Sequence, residues 1–208
     1  TTEIYTLSLH DALPICCKYC YSKPGAQTDM TEAVAHQAVR FAASTYAPDC
    51  GIVLFGGEPL LQKDLISSVI RYAQSVQSET KTRFHYKITT NGTLLDDAFI
   101  DFAVREKLFI ALSFDGVRSA HDAHRVLPDG SGTWSLIDQR AGRLLERLPY
   151  SPVMMTVCPE TVGLYCDSVE YLLDKGFRYI ICSLNYAGAW SDRTIRQLEK
   201  QYERLAKI

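Results

Sequence analysis

Gly51-Ile52-Val53-Leu54-Phe55-Gly56-Gly57-Glu58-Pro59 is the stretch whose reading decides the architecture. Gly51 to Phe55 is a short, nearly continuous apolar run, the pattern of a strand buried on both faces. Two glycines end it, and a backbone without side chains leaves N–H and C=O groups open to a ligand. Glu58 then sets a carboxylate at the strand end, and Pro59 has the fixed φ suited to opening a helix. A carboxylate beside bare carbonyls suits a ligand that carries an ammonium group. A tight turn with a solvated glutamate is the alternative.

Similar apolar runs occur at Phe84 to Thr90, Leu108 to Phe114, Pro152 to Cys158 and Phe177 to Cys182, and an earlier one lies near Ile4 to Leu9. Their spacings, roughly 25–45 residues, suit strand–helix–strand units. Helical patterns fill the gaps. Thr31 is placed to cap a helix with Val34, Ala38 and Phe41 on one stripe and Ala35 and Ala42 beside it. Leu65, Val69 and Tyr72 repeat at four and three. Asp96 starts a helix with Phe99, Ile100 and Ala103 inward, and Leu136 to Leu148 forms another. Thr161 starts one carrying Tyr165, Val169 and Leu172, which Gly176 closes in the left-handed conformation. Residues 192–207 form a last helix whose Ile195, Leu198, Tyr202 and Leu205 share a face. The fold class is therefore α/β, with a mainly parallel sheet and right-handed crossovers. Six candidate strands fit a doubly wound sheet or a curved open barrel, and in both the functional groups belong at the carboxyl ends of the strands.

The 208 residues suffice for one sizeable core. Apolar residues make up 47 % and charged residues 22 %, an ordinary globular mix. A net charge of −2 gives no electrostatic case for nucleic acid or an anionic membrane surface. No stretch approaches the roughly 20 apolar residues of a transmembrane helix, and residues 1–15 lack a signal-peptide pattern. Seven irregularly spaced cysteines argue for a reducing, cytoplasmic setting and against a disulfide framework. Cys50, Cys158 and Cys182 fall at or inside apolar runs and read as packing residues.

The residues able to do chemistry begin with Cys17 and Cys20. A C-x2-C turn holds two thiolates within reach of one metal or cluster, leaving zinc, a redox dithiol and an iron–sulfur cluster open. Pro24 and Gly25 oppose an immediate helix after Cys20, as a thioredoxin-like dithiol would need. Cys16, next to Cys17, points elsewhere. For zinc, His121 and His124 are the nearest plausible additional pair. Asn91-Gly92, Ser113 and Asp115 each have a turn alternative. In the run His121-Asp122-Ala123-His124-Arg125, Arg125 is suited to pairing a ligand carboxylate bidentately, and His121 and Asp122 to local loop hydrogen bonds. Tyr19 and Tyr21 flank Cys20 and suit covering a planar ring or shielding a cluster. Trp134 and Trp190 read as packing residues. There is no G-x-G-x-x-G and no P-loop.

Taken together, Cys17-Lys18-Tyr19-Cys20-Tyr21, Leu54 to Leu60, Thr89 to Leu95, Leu112 to Gly116 and His121-Asp122 with Arg125 resemble the radical S-adenosylmethionine superfamily. Within it the similarity is to the branch of anaerobic sulfatase-maturating enzymes and peptide maturases with a C-terminal cluster domain called SPASM. The resemblance covers residues 16 to about 190. It implies a partial (β/α)6 TIM-type barrel and two cofactors, a 4Fe–4S cluster and S-adenosylmethionine. Three thiolates hold the cluster in that family, and reductive cleavage of S-adenosylmethionine gives a 5′-deoxyadenosyl radical that abstracts hydrogen from the substrate. By motif position, Gly56, Gly57 and Glu58 meet the methionyl amine, Ser113 and Arg125 the ribose and carboxylate, and Tyr19 the adenine. Asn91 lines the same cavity, and Cys17 and Cys20 ligate iron. The implied partners are a peptide or protein substrate and an electron donor such as flavodoxin or ferredoxin. A small-metabolite substrate, or a degenerate non-catalytic module binding metal through Cys17, Cys20 and a histidine, are the alternatives.

The sequence departs from that pattern twice. Leu13 stands where C-x3-C-x2-C requires the first cysteine, and leucine has no donor atom. Residues 6–15, TLSLHDALPI, equal the translated tail of a common short-read sequencing adapter. The expectation is that this segment is read-through, that position 13 is natively Cys, and that His10, Asp11 and Pro14 carry no functional meaning. The second departure is Ile208, which ends the chain within a periodic helix. The expected organisation is thus an aberrant segment at 1–15, a radical S-adenosylmethionine core at 16–190, and the start of a C-terminal extension at 191–208.

Overall fold

The computed structural model describes residues 2–9, 14–20, 29–45 and 47–208. In chain order the elements are β1 (Thr2–Ser8), β2 (Cys16–Cys17), α1 (Glu32–Ala43), β3 (Asp49–Phe55), α2 (Lys63–Thr80), β4 (Arg83–Thr90), α3 (Asp97–Glu106), β5 (Leu108–Ser113), α4 (Arg118–His121), β6 (Arg125–Val126), α5 (Trp134–Arg147), β7 (Val153–Val157), α6 (Tyr165–Asp174), β8 (Ile180–Leu184) and α7 (Asp192–Leu205). The chain divides into two compact units. The first comprises Thr1–Leu13 and Ser22–Ala111, and the second Pro14–Tyr21 and Leu112–Ile208. The order of the long strands is β1-β3-β4 in the first unit and β5-β7-β8 in the second, where Leu112 and Ser113 of β5 pair with β7.

In the first unit β1 pairs parallel to β3 from Thr2↔Asp49 to Ser8↔Phe55, and β3 pairs parallel to β4 from Asp49↔Arg83 to Leu54↔Ile88. Thr6, Leu7 and Ser8, the first residues of the adapter-like segment, complete the first ladder. Their pairing is main-chain, so it is tolerant of sequence. His10, Asp11 and Leu13 lie outside the described residues, as do Tyr21, Pro24 and Gly25. Along β3 the faces differ. Cys50, Ile52 and Leu54 are fully buried, whereas Gly51, Val53 and Phe55 are half-buried, so the strand is less symmetric than its apolar run suggests.

Thr31 caps α1, accepting a hydrogen bond from Val34 N, and Asp96 caps α3 from Phe99 N, as their sequences predict. The buried stripe of α3 is Phe99, Ile100 and Ala103, as expected. On α1 the inward stripe is Ala35, Val39, Ala42 and Ala43, while Val34 and Phe41 are exposed. Small alanines bring the helix backbone close, and Phe41 instead turns its ring edge-on to Tyr5 of β1. On α2 Leu65, Ile66, Val69, Ile70, Ala73 and Val76 are buried. Burying the five larger ones stabilises the unit by roughly 10 kcal/mol before chain entropy is counted. Tyr72 faces α1, stacked on His36 with ring centroids 3.9 Å apart.

In the second unit β5, β7 and β8 are parallel, with Leu112↔Val153 and Val153↔Ile180 fixing register. The last strand begins at Ile180, three residues later than the apolar run that starts at Phe177, and Ile181 and Cys182 on it are exposed. Cys182 is therefore not a packing residue, whereas Cys50 and Cys158 are buried. The helix opened near Thr161 begins as a 3-10 turn over Val162–Leu164 before α6, and Gly176 beyond it takes φ +108°. Tyr165 and Leu172 are buried, and Val169 is half-buried. The apolar face expected on α7 is largely uncovered: Ile195 and Tyr202 are exposed. The helix docks through Gln201, whose side-chain oxygen accepts from Cys166 N and so satisfies a free N–H in the first turn of α6. No helix among the described residues is long and apolar enough to cross a membrane.

Candidate active site

In the first unit the site is built on the ends of β3 and β4. Gly56 takes φ +138°, a conformation open mainly to glycine, and directs the chain so that Glu58 turns inward. Glu58 is 0 % exposed. One carboxylate oxygen accepts from Leu60 N at 3.0 Å and from the Thr90 hydroxyl at 2.7 Å, and the other from Asn91 N at 2.8 Å. The carboxylate thus ties the Gly56-Gly57-Glu58-Pro59 loop to the Thr90-Asn91 loop. Burial pushes its pKa up, partly offset by those hydrogen bonds. Thr90 Oγ1 in turn accepts from Gly92 N at 3.0 Å. The Asn91 side-chain oxygen accepts from Thr93 N and Oγ1, which orients the amide and leaves its buried Nδ2 without a partner among the described residues.

In the second unit the hub is Asp115, just past β5. Its Oδ2 accepts from the Tyr19 hydroxyl at 2.6 Å and from Arg125 Nε at 2.9 Å. Its Oδ1 accepts from Arg125 Nη2 at 3.2 Å and from Thr156 N at 2.9 Å. Arg125 is buried and its fork is engaged bidentately by this carboxylate of the protein itself. Burial pushes the Asp115 carboxyl up, but the adjacent Arg125 charge, its hydrogen bonds and the Thr156 N–H outweigh it and hold the pKa below the usual range. Burial also raises the Tyr19 phenol, with Asp115 adding to the effect, so it stays neutral. The Arg125 guanidinium lies over the Tyr19 ring, 5.3 Å from its centroid.

Cys17 sits on β2, opposite Arg125 of β6 in an antiparallel pair, and Cys20 N donates to Cys17 O at 3.0 Å to close the turn between the two cysteines. Cys16 is exposed. Burial pushes the Cys17 thiol up, with the positive Arg125 acting in the opposite direction. Ser113 ends β5, in register with Met154.

The two nearby histidines have different fates. Nδ1 of His121 accepts from Asp115 N at 3.3 Å. Its Nε2 meets Thr133 Oγ1 at 2.9 Å, and that hydroxyl directs its own hydrogen to Arg125 O at 2.9 Å. Nε2 must therefore carry the proton. A second proton on Nδ1 would face the Asp115 N–H, donor against donor. Burial and, next, Arg125 bring the pKa down to about 3. Both ring nitrogens are engaged, so His121 is no metal ligand. Asp122 accepts from Trp134 N at 2.8 Å. The loop roles of His121 and Asp122 are thus present, and Trp134 packs beside Phe114 while donating to Gly116 O. Sequence reading missed Asp115 as the hub, Thr156 as its backbone donor, and the surroundings of His124.

The class follows from the family model: the chain belongs to the Radical SAM superfamily, whose model matches residues 14–172. It is 31 % identical over 180 residues to a serine-type anaerobic sulfatase-maturating enzyme of Klebsiella aerogenes, covering 81 % of this chain and 43 % of that protein. It is 23 % identical over 152 residues to a cysteine-type anaerobic sulfatase-maturating enzyme of Clostridium perfringens, covering 73 % of this chain and 41 % of that one. The chain therefore spans about two-fifths of the length of these relatives. Among solved structures, native anSMEcpe with bound AdoMet superposes with a TM-score of 0.88 at 16 % identity, covering 100 % of this chain and 61 % of that one. Streptococcus suis SuiB bound to precursor peptide SuiA gives 0.70 at 13 % identity, covering 99 % and 46 %. These likenesses establish the partial (β/α)6 barrel with six parallel strands as the fold class.

Proposed function

We propose that this chain is the core of a radical S-adenosylmethionine enzyme that modifies a peptide or protein side chain. The observation that carries the reading is the pair of loops locked by Glu58, which leaves the Asn91 amide nitrogen buried and without a partner among the described residues, a donor available to a polar ligand. The relatives support the class, and the SuiB neighbour with its precursor peptide supports a peptide substrate.

The roles follow from the chemistry of the donors. Gly56 and Gly57 offer main-chain carbonyls to the methionyl ammonium, and Glu58 supplies its counter-charge. Asn91 donates from Nδ2 to an acceptor of the same ligand. In the second unit Tyr19 presents a neutral ring face to the adenine. Arg125 and Asp115 hold that ring, since the Arg125 fork is taken by Asp115 and not by a ligand carboxylate, and Ser113 serves the ribose. When bound, S-adenosylmethionine supplies the radical chemistry, with electrons from a donor of the flavodoxin or ferredoxin kind.

The donor set for the 4Fe–4S cluster does not fit. Cys17 and Cys20 are two thiols where three are needed, Cys16 is exposed on the adjacent strand position, and Leu13 has no donor. This polypeptide is therefore expected to be inactive, with Cys at position 13 of the native protein.

Paired anaerobic reconstitution of this chain and its Leu13→Cys variant tests the reading. The variant alone is expected to hold about four irons and to release 5′-deoxyadenosine from added S-adenosylmethionine. In a separate arm, Glu58→Gln is expected to weaken S-adenosylmethionine binding to the reconstituted Leu13→Cys protein at least tenfold, about 1.4 kcal/mol. Iron-loaded Leu13→Cys protein that neither binds nor cleaves S-adenosylmethionine would overturn the assignment. A full cluster in the Leu13 chain would overturn the inactivity.

A further inference from the structure

His124 is the buried group that the site above does not use. It is 6 % exposed, yet neither Nδ1 nor Nε2 has a hydrogen-bond partner among the described residues. A buried imidazole left in that condition costs about 1–3 kcal/mol for each polar group taken from water unpaired. The ring is not loose. Lys18 N donates to His124 O at 3.0 Å, His124 N donates to His121 O at 3.1 Å, and the Tyr19 ring leans on the imidazole with centroids 5.5 Å apart. A fixed ring with two nitrogens unpartnered among the described residues calls for a ligand.

Around it stand Cys158 and Glu160. Cys158 follows β7, and Thr161 N donates to Cys158 O at 3.1 Å, a turn that brings Glu160 back beside the thiol. One ligand atom from each of His124, Cys158 and Glu160 lies within 4.8 Å of the others. Zinc–sulfur bonds of about 2.3 Å and zinc–nitrogen or zinc–oxygen bonds of about 2.0–2.2 Å put tetrahedral ligand atoms roughly 3.5 Å apart. The set is open by up to about an ångström on that scale; the exposed Glu160 side chain can approach by rotation, and His124 and Cys158 have to draw together by small shifts.

A supporting shell is present as well. Asn185 Nδ2 lies 3.7 Å from Cys158 Sγ, while its Oδ1 accepts from Ala187 N at 3.2 Å. The second bond fixes which end of the amide faces the sulfur, so an N–H points at Cys158. Asn185 is itself held: its N–H donates to Val157 O, and its carbonyl accepts from Trp190 Nε1 at 2.8 Å. Beside the three ligands lies a cavity of about 300 Å³ lined by Lys18, Tyr19, Ala123, His124, Glu160 and Asn185.

We propose that His124, Cys158 and Glu160 form a second metal site, distinct from Cys17 and Cys20, that binds one zinc-like divalent cation. One imidazole, one thiolate and one carboxylate match borderline-soft ions such as Zn2+ and Co2+. Three protein ligands leave a fourth position facing the cavity, open to water or to a donor atom of a bound molecule. The site needs no iron–sulfur cluster, although its cavity shares Tyr19 with the adenine position proposed above.

The test uses the full 208-residue chain carrying Cys16→Ser, Cys17→Ser and Cys20→Ser, titrated anaerobically with Co2+. One equivalent is expected to produce a thiolate-to-cobalt charge-transfer band in the near ultraviolet and the visible bands of a four-coordinate ion, both displaced by Zn2+. Cys158→Ser is expected to abolish the charge-transfer band. His124→Ala is expected to weaken binding at least tenfold. Glu160→Gln, at an exposed position that leaves the fold intact, is expected to weaken it severalfold while keeping the band. No stoichiometric band from the folded chain overturns the proposal. So does a band that survives Cys158→Ser and disappears with Cys182→Ser, since it would belong to the exposed thiol, and so does unchanged affinity in Glu160→Gln.

Discussion

Asp115→Asn is the substitution whose cost can be worked most directly from the structure. The carboxylate receives four hydrogen bonds, from Tyr19 Oη, Arg125 Nε, Arg125 Nη2 and Thr156 N. An asparagine has the same shape, but its oxygen can serve only one side. With the oxygen toward Tyr19 and Arg125 Nε, the new NH2 faces Arg125 Nη2 and Thr156 N, donor against donor. The reverse orientation sets it against Arg125 Nε. Either way a buried guanidinium loses its counter-charge, at a cost of about 3–5 kcal/mol. In a chain of this size each kcal/mol moves Tm by about 2–4 °C, so a fall of roughly 6–20 °C is expected by circular dichroism. The refined assay is a double-mutant cycle with Asp115→Leu, Arg125→Met and both together. Because an apolar pair removes both charges at once, the double variant is expected to regain at least about 2 kcal/mol over the sum of the single losses. A loss below about 1 kcal/mol in Asp115→Asn, or simple additivity in the cycle, would refute the view that this ion pair anchors the second unit.

Three further predictions concern the same residues and their neighbours. His121 is held at about 3, chiefly by burial, against about 6.5 in an unfolded chain, so the unfolded state binds more protons between those values. Its contribution is complete above about pH 6.5 and declines as pH falls toward about 3, by at most about 5 kcal/mol at about 1.4 per pH unit; urea midpoints that do not change from pH 7 to 4 would contradict it. Asp115, held below its usual range, adds a loss in the same direction at lower pH, whereas Glu58, held above its usual range, gains relative stability on acidification. Glu58→Gln is therefore expected to flatten the opposing part of the pH profile and to change stability at neutral pH by no more than about 1 kcal/mol, since it removes a buried charge along with a hydrogen bond. Gly116→Ala is expected to destabilise by about 2–5 kcal/mol, because φ is +88° and the added carbon would stand 2.2 Å from Ser168 Cβ; chemical denaturation showing a neutral effect would exclude that packing.

What was legible in the sequence had short-range causes. The Thr31 and Asp96 caps were readable because donor and acceptor lie three residues apart, and five of the six strand runs agree with the observed strands to within two residues because burial shapes composition locally. Helix ends were harder. Lys81 and Lys107 close α2 and α3 in the left-handed conformation with φ 62° and 56°, where no glycine marks the stop. The stripe on α1 was misplaced because alanine and valine differ little in pattern but much in how closely they let a helix approach, and only the packed neighbour decides. Site chemistry was hardest, since its partners are remote. Tyr19 and Asp115 are 96 residues apart and Asp115 and Thr156 are 41 apart, so nothing near Ser113-Phe114-Asp115-Gly116 announces that Asp115 will receive four donors. His121 and His124 make the point within a single loop. Their local surroundings in sequence are nearly alike, yet Thr133 and the Asp115 N–H saturate one ring, while the other, without a hydrogen-bond partner among the described residues, stands against Cys158 and Glu160. Hydrogen-bond satisfaction belongs to the folded chain and not to the motif. A family pattern can therefore place Arg125 in a site without revealing that Asp115 holds its fork, and can pass over His124, whose two open nitrogens are the reason to look for a metal there.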